Sequence, residues 1–423
     1  MRYKEINNQL FVKNRNKLSN LMKDNSVSIV FSAQEMHRNG DQNFNYRQNS
    51  DFFYLTGVEQ EHSVLTIAKI NGKIKETLFI LKPDKKTEIW EGKKLTKQNA
   101  IDISGIEKIV WNDKLDSSII NIIENTQNIY FQKDFKDERI KKLKKIVFKH
   151  KKTIKYLNVV NEITKLRLIK EPEEIELVKE AVEITRKAYI QVLKTIKPNK
   201  KEYEIEAEIT YNFIKNAAGD HAYAPIVATG KNACSLHYVK NDDLIKNGEL
   251  VLMDFGAEYA NYAADLSRTI PANGTFTKRQ KQLYNAVLDV QKRAIKLYVP
   301  GNTINNINEE VMDMMENKMI ELGLFSEKDV ENQNPDKPLF FKYFMHGTSH
   351  FMGLDVHDVG TKDTSFKENM ILTCEPGIYI EEEGIGIRIE NDIIVAKKPI
   401  DLMADFPREI DEIEKLMKKD NEK

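Results

Sequence analysis

The sequence predicts two domains, an α/β domain over residues 1–160 and an α+β domain over residues 161–423 that ends in a charged tail. At 423 residues, the chain is long enough for two or three domains. In the first part, short apolar runs typical of buried strands alternate with helical patterns. In the second part, pairs of amphipathic helices precede pairs of strand-like runs, which favours an α+β arrangement.

The first domain contains several elements with local signals. A helix is predicted at residues 13–23, and SVSIVFS at 26–32 has the composition of a buried strand. DFFYLTG at 51–57 is interpreted as another strand, which enters a glycine turn. The runs SVLTIAKI and ETLFILKP flank Asn71-Gly72, a dipeptide typical of β-hairpins. Further elements continue the alternation: strands at 106–111 and 128–131, and a lysine-rich solvated helix at 141–152.

The boundary between the domains is predicted at residues 158–171, before a long helix. Pro172 suits the first helical position, and Glu173 and Glu174 suit the positive N-terminal end of a helix. The next helix, EYEIEAEITYNFIKNAAG, is predicted to end at Gly219. Two more amphipathic helices, KRQKQLYNAVLDVQKRAIKLYVPG and TINNINEEVMDMMENKMIELGL, repeat this arrangement and suggest an internal pseudo-duplication. The C-terminal EIDEIEKLMKKDNEK is predicted to be a frayed helical tail.

Two carboxylates interrupt strand-like runs near the C-terminal end. TCEPGIYI and GIGIRIEND contain Glu375 and Glu390 on either side of a polar turn at 381–384. Both residues are equally far from the middle of that turn, so an antiparallel hairpin would place them opposite each other, about 5 Å apart at Cβ. Buried carboxylates are costly unless they are paired or bound to a metal. The pattern therefore predicts a divalent cation between them.

An upstream segment repeats this pattern. LVLMDFGAEYANYAADLSRTIPANG holds Asp254 and Asp265 in two runs joined near Tyr259-Ala260, and the same reasoning places these two carboxylates directly opposite each other. The segment MHGTSHFMGLDVHDVG adds three histidines: His346, His350 and His357. Carboxylates with one imidazole suit hard or borderline divalent ions such as Mn²⁺. Four carboxylates and one histidine are many ligands for one ion, which favours two ions with bridging carboxylates.

Four motifs resemble the metal-binding motifs of the pita-bread metallopeptidases, family M24, and above all its Xaa-Pro aminopeptidase (aminopeptidase P) branch: DFGAEYANYAADLSRT, HGTSHFMGLDVHD, EPGIYI and GIGIRIEND. YRQNSDFFYLTG at 46–57 resembles the N-terminal domain of that branch, so the resemblance covers nearly the whole chain. It implies a creatinase/aminopeptidase P-type N-terminal domain and a pita-bread catalytic domain. The implied activity is that of a metal-dependent exopeptidase, a hydrolase that cleaves the bond between an N-terminal residue and a following proline.

The resemblance also implies the metal ligands, one by one: Asp254, Asp265, His350, Glu375 and Glu390. Asp254 would hold one ion, His350 and Glu375 would hold the other, and Asp265 and Glu390 would bridge them. The ions are expected to be Mn²⁺. Together they would lower the pKa of a shared water, so that a bridging hydroxide forms near neutral pH and attacks the peptide carbonyl.

The remaining site residues are likewise implied by the resemblance. Glu375 is the candidate general base, and His237 and His357 would contact the scissile carbonyl. Pocket or substrate-binding roles are implied for four more residues: His346, Arg388, Tyr223 and Trp90. From position alone, a histidine such as His237 is more often a structural polar residue, and Arg388 is equally compatible with a salt bridge to a ligand carboxylate.

Neither cysteine is expected to take part in catalysis. Cys234 precedes His237 by three residues, but no third group supports a thiol nucleophile. Cys374 follows the alternation of a strand, which turns it away from the face of Glu375 and into the core. The two cysteines are far apart in sequence, so no disulfide framework is suggested.

The charge balance narrows the possible partners. Lys plus Arg and Asp plus Glu both number 65, so no basic excess exists to neutralise nucleic-acid phosphates. No apolar run of 18 residues is present, and no membrane span is predicted. The expectation is a cytoplasmic homo-oligomer, dimeric or tetrameric, that acts on peptides with proline at the second position.

Three other functions fit the same fold. Prolidase cleaves only dipeptides, and the choice depends on whether the N-terminal domain leaves the far side of the cleaved bond open. A non-catalytic scaffold or a metal-free, creatinase-like amidinohydrolase would tolerate the loss of carboxylates, whereas all five ligands are present here. The flanks in FMHGTSHFMGLDVHDVG favour the aminopeptidase.

Overall fold

The computed structural model describes residues 2–132 and 137–418. The chain forms two compact units and passes from one to the other between Arg167 and Leu168. The second unit also takes in the first residues of the chain. In the described residues, no helix is both long and apolar enough to cross a membrane.

The first unit is built on a six-stranded mixed sheet. Its helices are α1 Gln9–Leu21, α2 Ser50–Thr56, α3 Lys85–Glu91, α4 Lys97–Ser104, α5 Leu115–Ile123, α6 Glu138–His150 and α7 Val160–Arg167. Its strands are β1 Ser26–Phe31, β2 His37–Asn39, β3 Gln42–Asn43, β4 Val64–Ile70, β5 Lys73–Ile80, β6 Ile109–Trp111, β7 Asn128–Phe131 and β8 Lys155–Asn158. The sheet order is β6-β5-β4-β1-β7-β8, and α5 and α6 cover one face through apolar side chains such as Ile119 and Leu143.

The predicted hairpin between β4 and β5 is confirmed. Asn71 and Gly72 both have positive φ, 49° and 73°, as a two-residue hairpin turn requires. The strand predicted at 51–57 is wrong, because this segment is α2. Asn49 caps its first turn by accepting a hydrogen bond from the backbone of Phe52, and Gly57 ends it with φ 66°. All seven helical residues are buried, so the run shows no apolar period.

The second unit combines helices with short antiparallel strands. Its helices are α8 Pro172–Thr195, α9 Glu202–Lys215, α10 Lys278–Ala294, α11 Ile304–Glu321, α12 Glu327–Glu331 and α13 Ile410–Lys418. Its strands are β9 Asp220–His221, β10 Ile226–Thr229, β11 Leu250–Asp254, β12 Ala257–Tyr259, β13 Tyr262–Ala263, β14 Ser267–Pro271, β15 Ile371–Cys374, β16 Gly377–Ile380, β17 Ile385–Arg388, β18 Asn391–Ile394 and β19 Ile400–Asp401.

Two pairs of helices each pack beside one hairpin. Helix α8 contacts α9, β12 and β13, whereas α10 contacts α11, β16 and β17. Pro172 begins α8 as predicted, but α9 ends earlier than Gly219, because Ala217 takes the left-handed conformation with φ 67°. The predicted C-terminal helix is present and buries Ile410, Ile413 and Met417, and the rest of the predicted tail, 419–423, lies outside the described residues.

The first hairpin, 250–271, has a different register from the predicted one. Asp254 pairs with Ser267 and not with Asp265. The reason is the turn, which consists of Ala260 and Asn261 with φ 51° and 64°, one residue further along than predicted. Direct opposition of the two aspartates was therefore wrong. Because the register differs by two residues, both side chains still share one face.

The second hairpin, 371–394, has the predicted register. Cys374 pairs with Asn391, and Gly377 pairs with Arg388, so Glu375 and Glu390 lie opposite each other. Both residues occupy the break between two short ladders. The first hairpin is broken in the same way directly after Asp254. The breaks lie where the carboxylates cluster.

Candidate metal centre

A cavity of about 540 Å³ in the second unit collects nearly all the predicted site residues. Its lining includes Asp254, Asp265, His350, Glu375, Glu390, His237, His346, His357, Tyr223 and Arg388. Trp90 is not among the lining residues; it lies on α3 of the first unit and is 88% exposed. The chain thus brings together side chains that are up to 167 positions apart in sequence, from Tyr223 to Glu390.

Tyr223 links the two aspartates of the first hairpin. Its hydroxyl lies within hydrogen-bonding distance of Oδ1 of Asp254 and of Oδ1 of Asp265. Burial and the charges of these two aspartates raise the pKa of Tyr223 well above its ordinary value, so the hydroxyl keeps its proton. Burial also raises the pKa of Asp254, and the charge of Asp265 adds to this. A nearby positive charge would therefore stabilise the ionised forms of Asp254 and Asp265.

Arg388 supplies part of that charge from the second hairpin. Its Nη2 forms an ion pair with Oδ2 of Asp254, Nε donates to Oγ of Ser267 at 2.7 Å, and Nη1 donates to the hydroxyl of Tyr379 at 3.0 Å. This is the salt bridge to a ligand carboxylate that the sequence left open. A substrate-binding role for Arg388 stays a prediction.

Glu390 is held from both sides. Its Oε2 accepts a hydrogen bond from Oγ of Ser267 at 2.8 Å, and its backbone carbonyl accepts one from the buried Arg268 at 2.6 Å. Burial and the neighbouring charges of Asp265 and Glu375 raise the pKa of Glu390 well above its ordinary value. A cation at Glu390 would remove this repulsion.

His350 presents one ring nitrogen to the carboxylates. Its Nδ1 lies 3.1 Å from the carbonyl of Phe351, so this nitrogen carries the proton, and Nε2 faces Oδ2 of Asp265 at 3.3 Å and Oε1 of Glu375 at 3.8 Å. Burial alone would lower the pKa of His350, but the hydrogen bond to Asp265 and the charge of Glu375 outweigh it and raise the pKa to about 9. Without an ion, a proton on Nε2 takes the place that a metal would occupy.

The pKa of Glu375 is set by opposing influences. Burial raises its pKa to about 7, although the charges of His350 and Arg388 oppose the rise. Its Oε2 lies 3.7 Å from Nδ1 of His346. A carboxylate with a pKa near 7 can accept and release a proton at neutral pH.

His346 is neutral and fixed in one tautomer. Because Arg388 donates to the hydroxyl of Tyr379, that hydroxyl donates its own hydrogen to Nε2 of His346 at 2.8 Å. Nδ1 then donates to the carbonyl of Gly347 at 2.7 Å. Burial and the charge of Arg388 lower the pKa of His346 to about 4. His346 is therefore a hydrogen-bonding residue beside the ligands.

His357 and His237 reach the cavity from loops. The ring of His357 meets that of His350 edge to face, with centroids 4.3 Å apart, and burial lowers the pKa of His357. The loop after His357 is tied down by an ion pair between Lys170 and Asp358 at 3.2 Å, both of them buried side chains. His237 is exposed and lies in the segment that follows β10.

The donor set fits divalent cations. One ligand atom from each of Asp265, His350 and Glu390 lies within 4.8 Å of the other two. Two more carboxylates adjoin this group: Asp254 is linked to it through Tyr223, and Glu375 lies next to His350. Oxygen donors with one imidazole suit hard or borderline ions, and buried carboxylates in this number require such positive charge.

Sequence reasoning did not single out several residues that hold the ligands in place. Ser267 contacts both Glu390 and Arg388, and Tyr379 joins Arg388 to His346. Ser267 lies two positions after Asp265, and Tyr379 lies in the EPGIYI motif, so both were close to recognised residues. Lys362 adds a cation to the cavity lining and carried no signal of its own.

Both parts of the chain match known family models. The model of metallopeptidase family M24 matches residues 176–397, and the model of the aminopeptidase P N-terminal domain matches residues 11–130. The chain belongs to metallopeptidase family M24, and its catalytic unit has the pita-bread fold. It is therefore a hydrolase.

Full-length relatives define the branch within that family. The chain is 35% identical to a Xaa-Pro aminopeptidase of Escherichia coli, with 98% of each chain covered, and 34% identical to one of Haemophilus influenzae, with 96% of each covered. A solved structure of zinc-substituted E. coli aminopeptidase P in complex with product matches with a TM-score of 0.92 at 32% identity, covering 98% of this chain and 99% of that one. The chain is of the Xaa-Pro aminopeptidase type, and the predicted family and fold are confirmed.

Proposed function

We propose that this protein removes the N-terminal residue from peptides whose second residue is proline, with two divalent ions bound in the cavity. The observation that carries the proposal is the convergence of Asp254, Asp265, His350, Glu375 and Glu390 on one cavity. Full-length similarity to proteins named Xaa-Pro aminopeptidase supports the substrate class.

The five converging side chains would hold the ions. Asp265 is the best candidate for a shared ligand, because it lies next to Asp254 through Tyr223 and next to His350 directly. When bound, divalent ions lower the pKa of a coordinated water and polarise a carbonyl, which supplies a nucleophile at neutral pH.

The chain's own groups then handle protons and orientation. Glu375, with its pKa of about 7, suits a proton acceptor at Oε2, the oxygen that faces His346. His237 and His357 line the same cavity and are proposed to orient the peptide carbonyl. The cavity wall also contains Ile226, Leu236 and Val239, apolar side chains against which a proline ring can pack.

Several finer features belong to the proposal. Manganese as the bound ion is favoured by the oxygen-rich ligand set with one imidazole. Contacts of Arg388, His346, Tyr223 and Trp90 with the peptide, a cytoplasmic location and a homo-oligomer also stay predictions from the sequence.

The test compares three substrates on protein reconstituted with Mn²⁺. A peptide Xaa-Pro-Yaa is expected to be cleaved after Xaa, and the matched peptide Xaa-Ala-Yaa is expected to be a poor substrate in kcat/KM. Activity confined to the dipeptide Xaa-Pro would instead identify a prolidase. Comparable kcat/KM for the proline and alanine peptides would identify a general aminopeptidase.

Metal content is measured on the same samples. About two ions per chain are expected in active protein, and chelation is expected to abolish turnover. Full activity in protein with no metal above background would contradict the two-ion proposal. The zinc-loaded form serves as a comparison for the choice of ion.

A further inference from the structure

A buried carboxylate outside the metal centre accepts four hydrogen bonds from a single segment of the chain. Glu202, the first residue of α9, is fully buried. Its Oε1 accepts hydrogen bonds from the backbone N–H of Thr229 at 2.8 Å and from the side-chain amide of Asn232 at 3.1 Å. Its Oε2 accepts from the hydroxyl of Tyr238 at 2.8 Å and from the backbone N–H of Asp243 at 2.9 Å. All four donors belong to residues 229–243, here called the 229–243 segment.

This segment forms one wall of the cavity. Leu236, His237 and Val239 all line the cavity. After a short 3₁₀ turn at Gly230–Cys234, no residue from 235 to 243 belongs to a helix or a strand. Backbone pairing therefore does little to define the part that carries His237.

The two halves of the segment are held differently. The 3₁₀ turn packs directly on β17, where a Cβ added to Gly386 would lie 2.2 Å from the carbonyl oxygen of Ala233. In the second half, Leu236 and Tyr238 pack into an apolar cluster, and His237 between them is exposed. Glu202 joins Tyr238 and Asp243 of this half through a single oxygen. The buried Asn241 adds side-chain hydrogen bonds to Val227, Pro225 and Glu206.

We infer that Glu202 is a positioning residue, which holds the 229–243 segment in the conformation that directs His237 into the cavity. A carboxylate suits this role because four donors need four lone pairs, and an ionised carboxylate offers them without a competing hydrogen. The satisfied hydrogen bonds also compensate for the burial of its charge. The role rests on the proposed function in one respect, namely that His237 acts on the peptide.

Hydrogen exchange tests the inference without relying on activity. In Glu202→Gln, one oxygen becomes an amide nitrogen that cannot accept from its two donors, and Glu202→Ala removes all four hydrogen bonds. Amides from residue 235 to 243 are expected to exchange about tenfold faster or more in both variants, whereas the 3₁₀ turn on β17 keeps its protection. Unchanged exchange across 235–243 would overturn the inference.

A matched control lies on the same helix. Glu204 is exposed and accepts a hydrogen bond only from the nearby backbone of Lys201 in the described contacts, at 2.7 Å. Glu204→Ala is expected to leave exchange in the 229–243 segment and kcat/KM unchanged. If Glu202→Ala does not fold, Tyr238→Phe removes one of the four donors and is expected to give a smaller change in the same amides. No change in that variant would count against the inference.

A double-mutant cycle tests the link to His237. Alone, Glu202→Gln is expected to lower kcat/KM toward Xaa-Pro-Yaa by about tenfold, because small displacements of a positioned group are costly. In the His237→Ala background, the same change is expected to cost less than about twofold. Equal losses in both backgrounds would show a general structural role and overturn the inference. Wild-type protein with no activity on Xaa-Pro-Yaa would instead defeat the proposed function, and hydrogen exchange would still decide the role of Glu202.

Discussion

The two carboxylate-bearing hairpins of the catalytic unit solve the same electrostatic problem in different ways. In the first hairpin, Asp254 is joined to Tyr223 and to the guanidinium of Arg388. In the second, Glu375 lies opposite Glu390 with His350 at 3.8 Å, and the pKa values of both glutamates are raised by burial. The first hairpin is thus paired with a permanent cation of the protein, which the second hairpin supplies.

This difference in charge compensation predicts which of the two hairpins depends more on bound ions. The ion pair between Arg388 and Asp254 compensates the first hairpin whether or not metal is present. The charge of Arg388 also favours the ionised glutamates of the second hairpin, but only through space, so they depend in addition on a histidine that can lose its proton and on the ions. The first hairpin is therefore expected to be set in place by the fold, and the second to be completed by metal binding.

The largest expected effect comes from removing the cation that pairs with the first hairpin. Arg388→Met leaves Asp254 buried beside Asp265, and breaking a buried pair costs about 3–5 kcal/mol. The loss of unfolding free energy is expected to be largest with a chelator and smaller with saturating Mn²⁺, because ions neutralise the same aspartates. Urea unfolding under both conditions measures it.

A surface ion pair provides the control for that experiment. Arg279 pairs with Glu383 at the turn of the second hairpin, and both side chains are about one-third exposed. Arg279→Met is expected to cost at most about 1 kcal/mol, with no dependence on Mn²⁺. If Arg388→Met lost equal stability with and without ions, the contrast between the hairpins would be refuted.

The next largest effect is on kcat, when Glu375 of the second hairpin or its neighbour His350 is replaced. Glu375→Gln keeps one oxygen donor but removes the proton acceptor, so kcat is expected to fall by roughly 10² or more while most of the metal is retained. His350→Ala is expected to lose metal at one site and to recover part of its activity in excess Mn²⁺. Both are measured at saturating Mn²⁺ with metal content on the same samples. Near-wild-type kcat in Glu375→Gln would exclude Glu375 as the base.

A smaller effect is the pH dependence of the metal-free protein. The pKa of Glu375 is about 7 in the folded chain and 4.5 ordinarily, so between these values the folded state binds the extra proton and stability falls as pH rises. His350, with its pKa raised from 6.5 to about 9, continues the loss toward pH 9. His346, whose pKa is lowered to about 4, opposes the loss below pH 6.5, so the net decrease of several degrees in Tm is expected from about pH 6.5 to 9, at about 2–4 °C per kcal/mol.

Two comparisons sharpen the pH experiment. Mn²⁺ is expected to reduce or reverse the decline, because the ion displaces the proton and binds more tightly as pH rises. Glu375→Gln is expected to remove the loss that Glu375 contributes between pH 4.5 and 7, so that Tm rises with pH up to about 6.5 as His346 becomes neutral in the unfolded chain. A metal-free Tm that rises steadily from pH 5 to 9 would contradict the assigned directions.

The smallest effect on turnover is expected from a change at Cys374, next to the proposed metal ligand Glu375. Cys374 is fully buried, and its Sγ lies 4.0 Å from the carbonyl of Gln291 on α10, away from the cavity. Cys374→Ser is expected to leave kcat within about twofold and to lower stability by about 1–2 kcal/mol, because a buried hydroxyl replaces the thiol. Loss of turnover in a folded, metal-loaded Cys374→Ser variant would refute this orientation.

The two hairpins also differ in how far the sequence predicts them. The polar turn at 381–384 marks the centre of the second hairpin, and this centre correctly predicts the register of its strands. In the first hairpin, Ala260 takes a left-handed conformation that alanine seldom adopts, so the sequence predicts a centre one residue too early. The face of both aspartates was still correct, because a shift of two residues preserves the alternation.

Contacts between distant residues were harder to predict. The role of Ser267 depends on its closeness to Arg388, 121 positions away, which no local pattern reveals. The same holds for Glu202, whose carboxylate serves a segment that begins 27 positions later. Helix α2 escaped prediction because burial on all sides hides its period, although Asn49 and Gly57 mark its ends.

The ion pair between Arg388 and Asp254 has a consequence for how the two halves of the second unit hold together. Each half supplies a charge that the other half needs. A fragment ending at the exposed turn around Asn273 would bury two aspartates without the arginine, and the complementary fragment would bury the arginine without its aspartate. Neither fragment is therefore expected to fold by itself, and the two halves are expected to be obligate partners within a single polypeptide.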